Sequence, residues 1–163
     1  MAYPAARLLA VIGDPYLREI YNEDGLITGY QPRTVPQLWS YCGYRTNNGV
    51  AVKRQRGQQA NWSTGAKTRA YLIAEACIKL NGEPDKNGKS RTRSPYRNVY
   101  DLRKEATDGK THVAQCVRCG PSGHPAEAGT PWSDGHRHAD ALRVTAKTFL
   151  EDLWREARRV HTT

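Results

Sequence analysis

Residues 136–160 carry the longest apolar periodicity in the chain. Ala139, Leu142, Ala146, Phe149, Leu150, Leu153, Trp154 and Ala157 recur at the three-to-four spacing of one helix face. Arg143, Lys147, Glu151, Arg155 and Arg158 fall on the opposite face. A helix with so wide a stripe must bury one side, so the other segments have to cover it. Four shorter segments have helical signals of their own. Pro4 opens 4–12, with Ala5, Leu8, Leu9 and Ile12 on one stripe and Gly13 as its stop. Thr34 caps 35–42, which ends at Gly43. Ser63 or Thr64 caps 67–80, where Ala70, Ile73, Ala74, Cys77 and Ile78 keep the helical period. Ser94-Pro95 starts a helix to about Thr107 that turns Tyr96, Val99, Tyr100 and Leu102 inward.

Between these segments, 21–33 reads as loop because it holds Asn22, Gly25, Gly29 and Pro32. The run 45–61 has a turn signal, Asn47-Asn48-Gly49, leading into a basic loop or short hairpin arm. Residues 81–92 read as a flexible basic linker, and 108–135 as irregular. The expectation is a single all-α domain over 1–163 with about five helices and no internal repeat. Within it 1–44 is a helical scaffold, 45–110 a basic contact region, 111–138 a Cys/His loop and 136–160 the closing helix.

Composition narrows the function classes. The 163 residues are 38% hydrophobic with a mean hydropathy of −0.77, lean for a globular chain but too apolar for disorder throughout. No run approaches the roughly 20 apolar residues of a membrane span. Residues 1–12 lack a basic stretch ahead of their apolar one, so no signal peptide is expected. The 4 cysteines do not make a disulfide scaffold, and the expected setting is a reducing cytoplasm.

The net charge of +9 is unevenly placed. Residues 1–44 have a net of −1, 45–110 a net of +9, and 111–163 a net of +1. Arg45, Lys53, Arg54, Arg56, Lys67 and Arg69 form one acid-free block; Lys86, Lys89, Arg91, Arg93 and Arg97 form a second. Such blocks are the footprint of a polyanion binder, since each cation can neutralise a phosphate and release a condensed counterion. Nucleic acid is the expected partner, DNA before RNA. Tyr41, Tyr44, Tyr71, Tyr96 and Tyr100 surround these blocks and offer rings for stacking, or simply line a lean core.

The segment 111–138 reads His112-x3-Cys116-x2-Cys119-x4-His124-x11-His136-x-His138. A Cys-x-x-Cys on a turn brings two thiolates to one side, half of a tetrahedral zinc site. Cys116, Cys119, His136 and His138 are the expected ligands, with zinc in a structural role that organises a polar loop. Cys42 and Cys77 lie on apolar faces and read as small core residues. Catalytic patterns are sparse. Asp14, Glu75, Asp101 and Asp140 are the carboxylates that a metal-dependent centre would draw on.

The order of segments resembles a known family. Residues 5–14, Ala-Ala-Arg-Leu-Leu-Ala-Val-Ile-Gly-Asp, are similar to the helix and Ile-Gly-Asp segment in the C-terminal domain of IS-one-ten-type transposases, the RNA-guided DEDD recombinases. Residues 37–44, Gln-Leu-Trp-Ser-Tyr-Cys-Gly-Tyr, resemble its following short helix, while 54–57 and 63–72 resemble its basic tract and next helix. Residues 139–155 resemble its closing helix, and the Cys-Val-Arg-Cys-Gly-Pro loop is similar to actinobacterial relatives. The resemblance implies a helix-hairpin-helix-like start, here clipped, and a DNA- or RNA-contacting fold. Two departures count against autonomous recombination. The chain has no room for the family's RuvC-like domain with its acidic metal site. Where the family carries a nucleophilic Ser-Gly, this chain reads Asn47-Asn48-Gly49, and an amide cannot form the covalent link to phosphate. Two other classes stay open: a recombinase or nuclease subunit that dimerises or borrows a partner's catalytic domain, and a protein-interaction or virion-associated module.

Overall fold

Five helices form where capping and periodicity place them, but the chain is not all-α. The computed structural model describes residues 2–47, 50–52, 54, 56–121 and 124–162. Among these, α1 (Ala2–Ile12), α2 (Val35–Tyr41), α3 (Thr64–Lys79), α4 (Pro95–Ala106) and α5 (Asp134–His161) are joined by two antiparallel hairpins. The first hairpin pairs β1 (Leu17–Tyr21) with β2 (Ile27–Pro32), and the second pairs β3 (Thr46–Asn47) with β4 (Val50–Ala51). The fold is therefore mixed α and β, which corrects the all-α expectation. The first hairpin lies in the stretch that reads as loop. Its turn is built by Asn22, whose Oδ1 accepts the Asp24 and Leu26 N–H groups at 3.1 and 2.8 Å, and by Gly25 at φ +76°. Both strands are largely exposed, so the apolar alternation that marks a half-buried strand is missing.

The chain divides into two compact units, Met1–Ala74 with Ala146–Thr163, and Glu75–Thr145. In the first, Leu8, Ile12, Leu38, Cys42, Ala70, Ile73, Ala146 and Leu150 form the core. Its hairpin is tied to α1 by a buried arginine. Arg33 donates from Nη2 to the carbonyls of Ile12, Asp14 and Leu17. Asp14 accepts the N–H groups of Tyr16 and Leu17 and pairs with His161 at 2.6 Å. The indole N–H of Trp154 reaches the Arg33 carbonyl at 2.7 Å, and that of Trp39 reaches the Lys147 carbonyl at 3.0 Å.

The second unit is held differently. Among the described residues its buried apolar side chains are Cys77, Ala141 and Leu142, beside the buried polar groups Ser94, Thr107, His112, Asp140 and Thr145. Helix α4 buries none of its residues, and Leu102, expected inward, is 65% exposed. Charged side chains dock this helix instead. Arg97 donates to the Ile78 carbonyl at 2.9 Å, and Arg103 reaches Asp140 of α5 at 2.6 Å. Arg143 contacts the other oxygen of Asp140, and Arg137 donates to the Lys104 carbonyl at 2.7 Å.

Asp140 is thus a buried carboxylate between two arginines. Burial raises its pKa, but the Arg103 hydrogen bond and the Arg143 charge outweigh it and hold the group below the usual carboxylate value. Its contribution to stability is complete above that usual value and fades as pH falls through the lower folded one. Asp140→Ala, which strands two guanidiniums, is expected to cost about 3 kcal/mol in chemical denaturation. The variant's stability should also vary less with pH below about 4 than the parent's does.

Candidate metal centre

Four side chains converge in the second unit. His112, Cys116, Cys119 and His136 each present one donor atom, and these atoms all lie within 4.8 Å of one another. Short backbone pairings place them. Cys116 exchanges two hydrogen bonds with Ala126, both 2.9 Å, and the Cys119 N–H turns back to the Cys116 carbonyl at 3.3 Å. That turn sets both sulfurs on one side. Gly120 makes its closure tight: a Cβ there would stand 1.7 Å from the His124 carbonyl oxygen. His112 is fixed by its N–H to the Thr130 carbonyl at 2.9 Å and by its own carbonyl, which accepts the Gly129 N–H at 2.7 Å. His136 sits in the first turn of α5, where the Ser133 hydroxyl accepts its N–H at 3.2 Å.

The donor geometry suits a tetrahedral ion. The Nδ1 of His136 lies 3.7 Å from the Cys116 sulfur and 3.2 Å from the Cys119 sulfur. Bonds of about 2.0–2.3 Å to a tetrahedral metal put neighbouring donors about 3.3–3.8 Å apart. His112 is only 5% exposed, and its Nε2 is buried with no hydrogen-bond partner among the described residues. A buried imidazole nitrogen left unpaired costs about 1–3 kcal/mol, and a metal ion would satisfy it. Burial works against ionisation of the Cys119 thiol, but hydrogen bonds from Ser133 and Cys116 hold it below its ordinary value. The thiolate is the form that binds metal. Trp132 backs the site, stacked on His136 at 4.0 Å with the planes 5° apart.

Three of the four expected ligands are brought together; His138 is not among them. Its Nδ1 bonds the Tyr100 hydroxyl at 2.8 Å, and His112 takes its place in the cluster. The signal was present in the sequence, since residues two apart on a helix point about 200° apart and cannot share one site. Among the described residues, three of the candidate carboxylates are held structurally: Asp14 by His161 and backbone, Asp101 by Arg93 and Arg97, and Asp140 by Arg103 and Arg143. Cys42 and Cys77 are fully buried, and burial pushes the Cys42 thiol up to about 12.

The basic residues divide into two groups. Arg45, Arg54 and Arg56 are exposed, Arg69 is half-buried, and none of them joins an ion pair among the described residues. Lys67 lies over the Trp62 ring at 4.7 Å, and Lys53 lies outside the described residues. In the second unit Lys86 and Lys89 are exposed without an ion pair, while Arg91 stands 4.0 Å from Asp85. Arg93 and Arg97 are committed to Asp101 at 2.6 and 2.8 Å.

Comparison with known proteins finds no matching family model, no similar curated protein and no similar solved structure. The likeness to transposase C-terminal domains thus rests on the quoted segments alone. No helix among the described residues is long and apolar enough to cross a membrane.

A chelator titration followed by thermal denaturation tests the cluster. Metal removal should lower the melting temperature of the parent. His112→Ala should already melt low and respond little to chelator, whereas His138→Ala should keep the full response.

Proposed function

We propose that this protein is a nucleic-acid-binding module, with DNA the first target, whose Cys/His loop is folded around a structural zinc ion. The supporting observation is the set of exposed cations that the fold leaves unspent: Arg45, Arg54 and Arg56 in the first unit, and Lys86 and Lys89 in the second. An intramolecular ion pair competes with a phosphate for the same guanidinium. Arg93 and Arg97 therefore serve the fold, and the unpaired cations serve the ligand. Contacts of this kind give affinity and little sequence discrimination. The likeness to a transposase C-terminal domain supports the same ligand class, and Asn47-Asn48-Gly49 in place of a nucleophilic Ser-Gly supports binding rather than autonomous strand exchange.

Zinc follows from the donor set. Two thiol and two imidazole donors within 4.8 Å of one another match its preference, and calcium or magnesium would require oxygen donors. The ion would hold the loop 107–133 against the start of α5 and supply folding energy that the three apolar side chains buried among the described residues of this unit do not.

Anisotropy of a labelled DNA duplex measures the binding. Log affinity should fall linearly with log salt, with a slope of about −0.9 for each phosphate neutralised. Combined Arg45→Glu, Arg54→Glu and Arg56→Glu changes should lower affinity at least about tenfold and flatten that slope. Retention of DNA no better than that of a neutral polymer at low salt would refute the proposal. Metal analysis should return one zinc per chain, lost in Cys116→Ser.

A further inference from the structure

We infer that a cleft beside α2 and the second hairpin seats one unpaired nucleotide of a single-stranded nucleic acid. This rests on the nucleic-acid reading above and narrows it. The cleft is lined by Ser40, Gly43, Arg45, Asn47, Asn61 and Trp62, with Val52 at its side. Its volume of about 170 Å³ admits a single planar ring system, well short of the roughly 300 Å³ or more of a pocket for a whole small molecule.

The walls are built, and their polar groups are unspent among the described residues. Gly43 adopts φ +70°, and a Cβ there would stand 2.6 Å from the Trp62 ring, so glycine is what lets the indole pack close. Lys67 holds the same ring from 4.7 Å, and the Ser63 N–H donates to the Tyr41 carbonyl at 2.9 Å, fixing the chain beside Trp62 to the end of α2. Yet the Ser40 hydroxyl, the Arg45 guanidinium, the Asn47 and Asn61 amides and the Trp62 indole N–H have no hydrogen-bond partner among the described residues.

Each unspent group answers to part of a nucleotide. A side-chain amide offers a donor and an acceptor side by side, the pattern that pairs with a base edge. An indole gives a flat surface on which any base can pack. A guanidinium takes a phosphate, and the cleft has no carboxylate in its walls to repel one. A base stacked inside a duplex presents no free face, so the occupant is unpaired. A contact to phosphate alone would leave the ring unused.

The test uses the full chain and three labelled probes carrying the same number of phosphates: a mixed-sequence single strand, the same strand made of abasic sites, and a duplex of half the length. The single strand is expected to bind about tenfold tighter than the abasic strand, the size of one base stacked on an aromatic ring. Asn61→Ala, which removes an exposed amide without disturbing packing, should narrow that gap to about threefold or less; Trp62→Leu should close it. A nucleoside monophosphate at the strand's own concentration should not displace the strand, because it lacks the neighbouring phosphates. Displacement by it would overturn the strand assignment. Equal binding of the abasic strand or the duplex, or a gap that Asn61→Ala leaves intact, would overturn the cleft while leaving the charge-based reading in place. No binding of any probe at low salt would overturn both.

Discussion

A buried imidazole nitrogen with no hydrogen-bond partner among the described residues sets the terms for Glu75–Thr145. His112 Nε2 is shut away from solvent, in a unit whose buried apolar side chains among the described residues are Cys77, Ala141 and Leu142. Such a core is too small to repay the entropy of ordering the loop 107–133, at about 1–2 kcal/mol of backbone entropy for each fixed residue. Two short bridges, Thr111 to Pro131 and Cys116 to Ala126, define the loop's path but add little burial. One ion held by residues 112, 116, 119 and 136 would satisfy the imidazole and cross-link the loop to α5 in one step. The rest of the unit is consistent with this arrangement, since Arg103, Arg143 and Arg137 dock helices through charge where a larger core would use leucines.

Charge in the sequence and charge in space are different quantities here. The second basic block contains no acid, yet Arg93 and Arg97 close on Asp101, eight and four residues further on. Helical spacing brings a partner from outside the window into contact with the block. The first block keeps its cations because the segment around it is a short hairpin and a turn, with no acidic residue from 45 to 69 to fold back. The unspent positive surface is therefore sharper than the net charge suggests.

The helices were legible because each has its own local signal. Ser94 accepts the Tyr96 N–H ahead of Pro95, Ser63 accepts the Ala66 N–H, and Gln37 accepts the Thr34 N–H. The first hairpin was not legible, because neither of its faces is buried and glycine with proline mimic a loop. Leu102 misled for the converse reason: it keeps the helical period on a helix that docks through arginines. At the candidate metal centre the Cys-x-x-Cys turn and the histidine at the start of α5 pointed to Cys116, Cys119 and His136. The fourth, His112, is placed by its backbone pairing with Gly129 and Thr130, which spacing alone does not supply.

The stack of Trp132 on His136 has a kinetic side. A ring clamped face to face at 4.0 Å cannot swing away without opening that contact, and its backbone is the first turn of a 28-residue helix. His112 is enclosed, while Cys116 and Cys119 are half-exposed on a short turn. Exchange of an ion held at this centre would therefore be asymmetric: arrival and departure would run through the two half-exposed sulfurs, with the imidazoles as the stationary half of the coordination sphere. A competing thiol ligand would meet such an ion at the turn, where Cys116 and Cys119 are half-exposed.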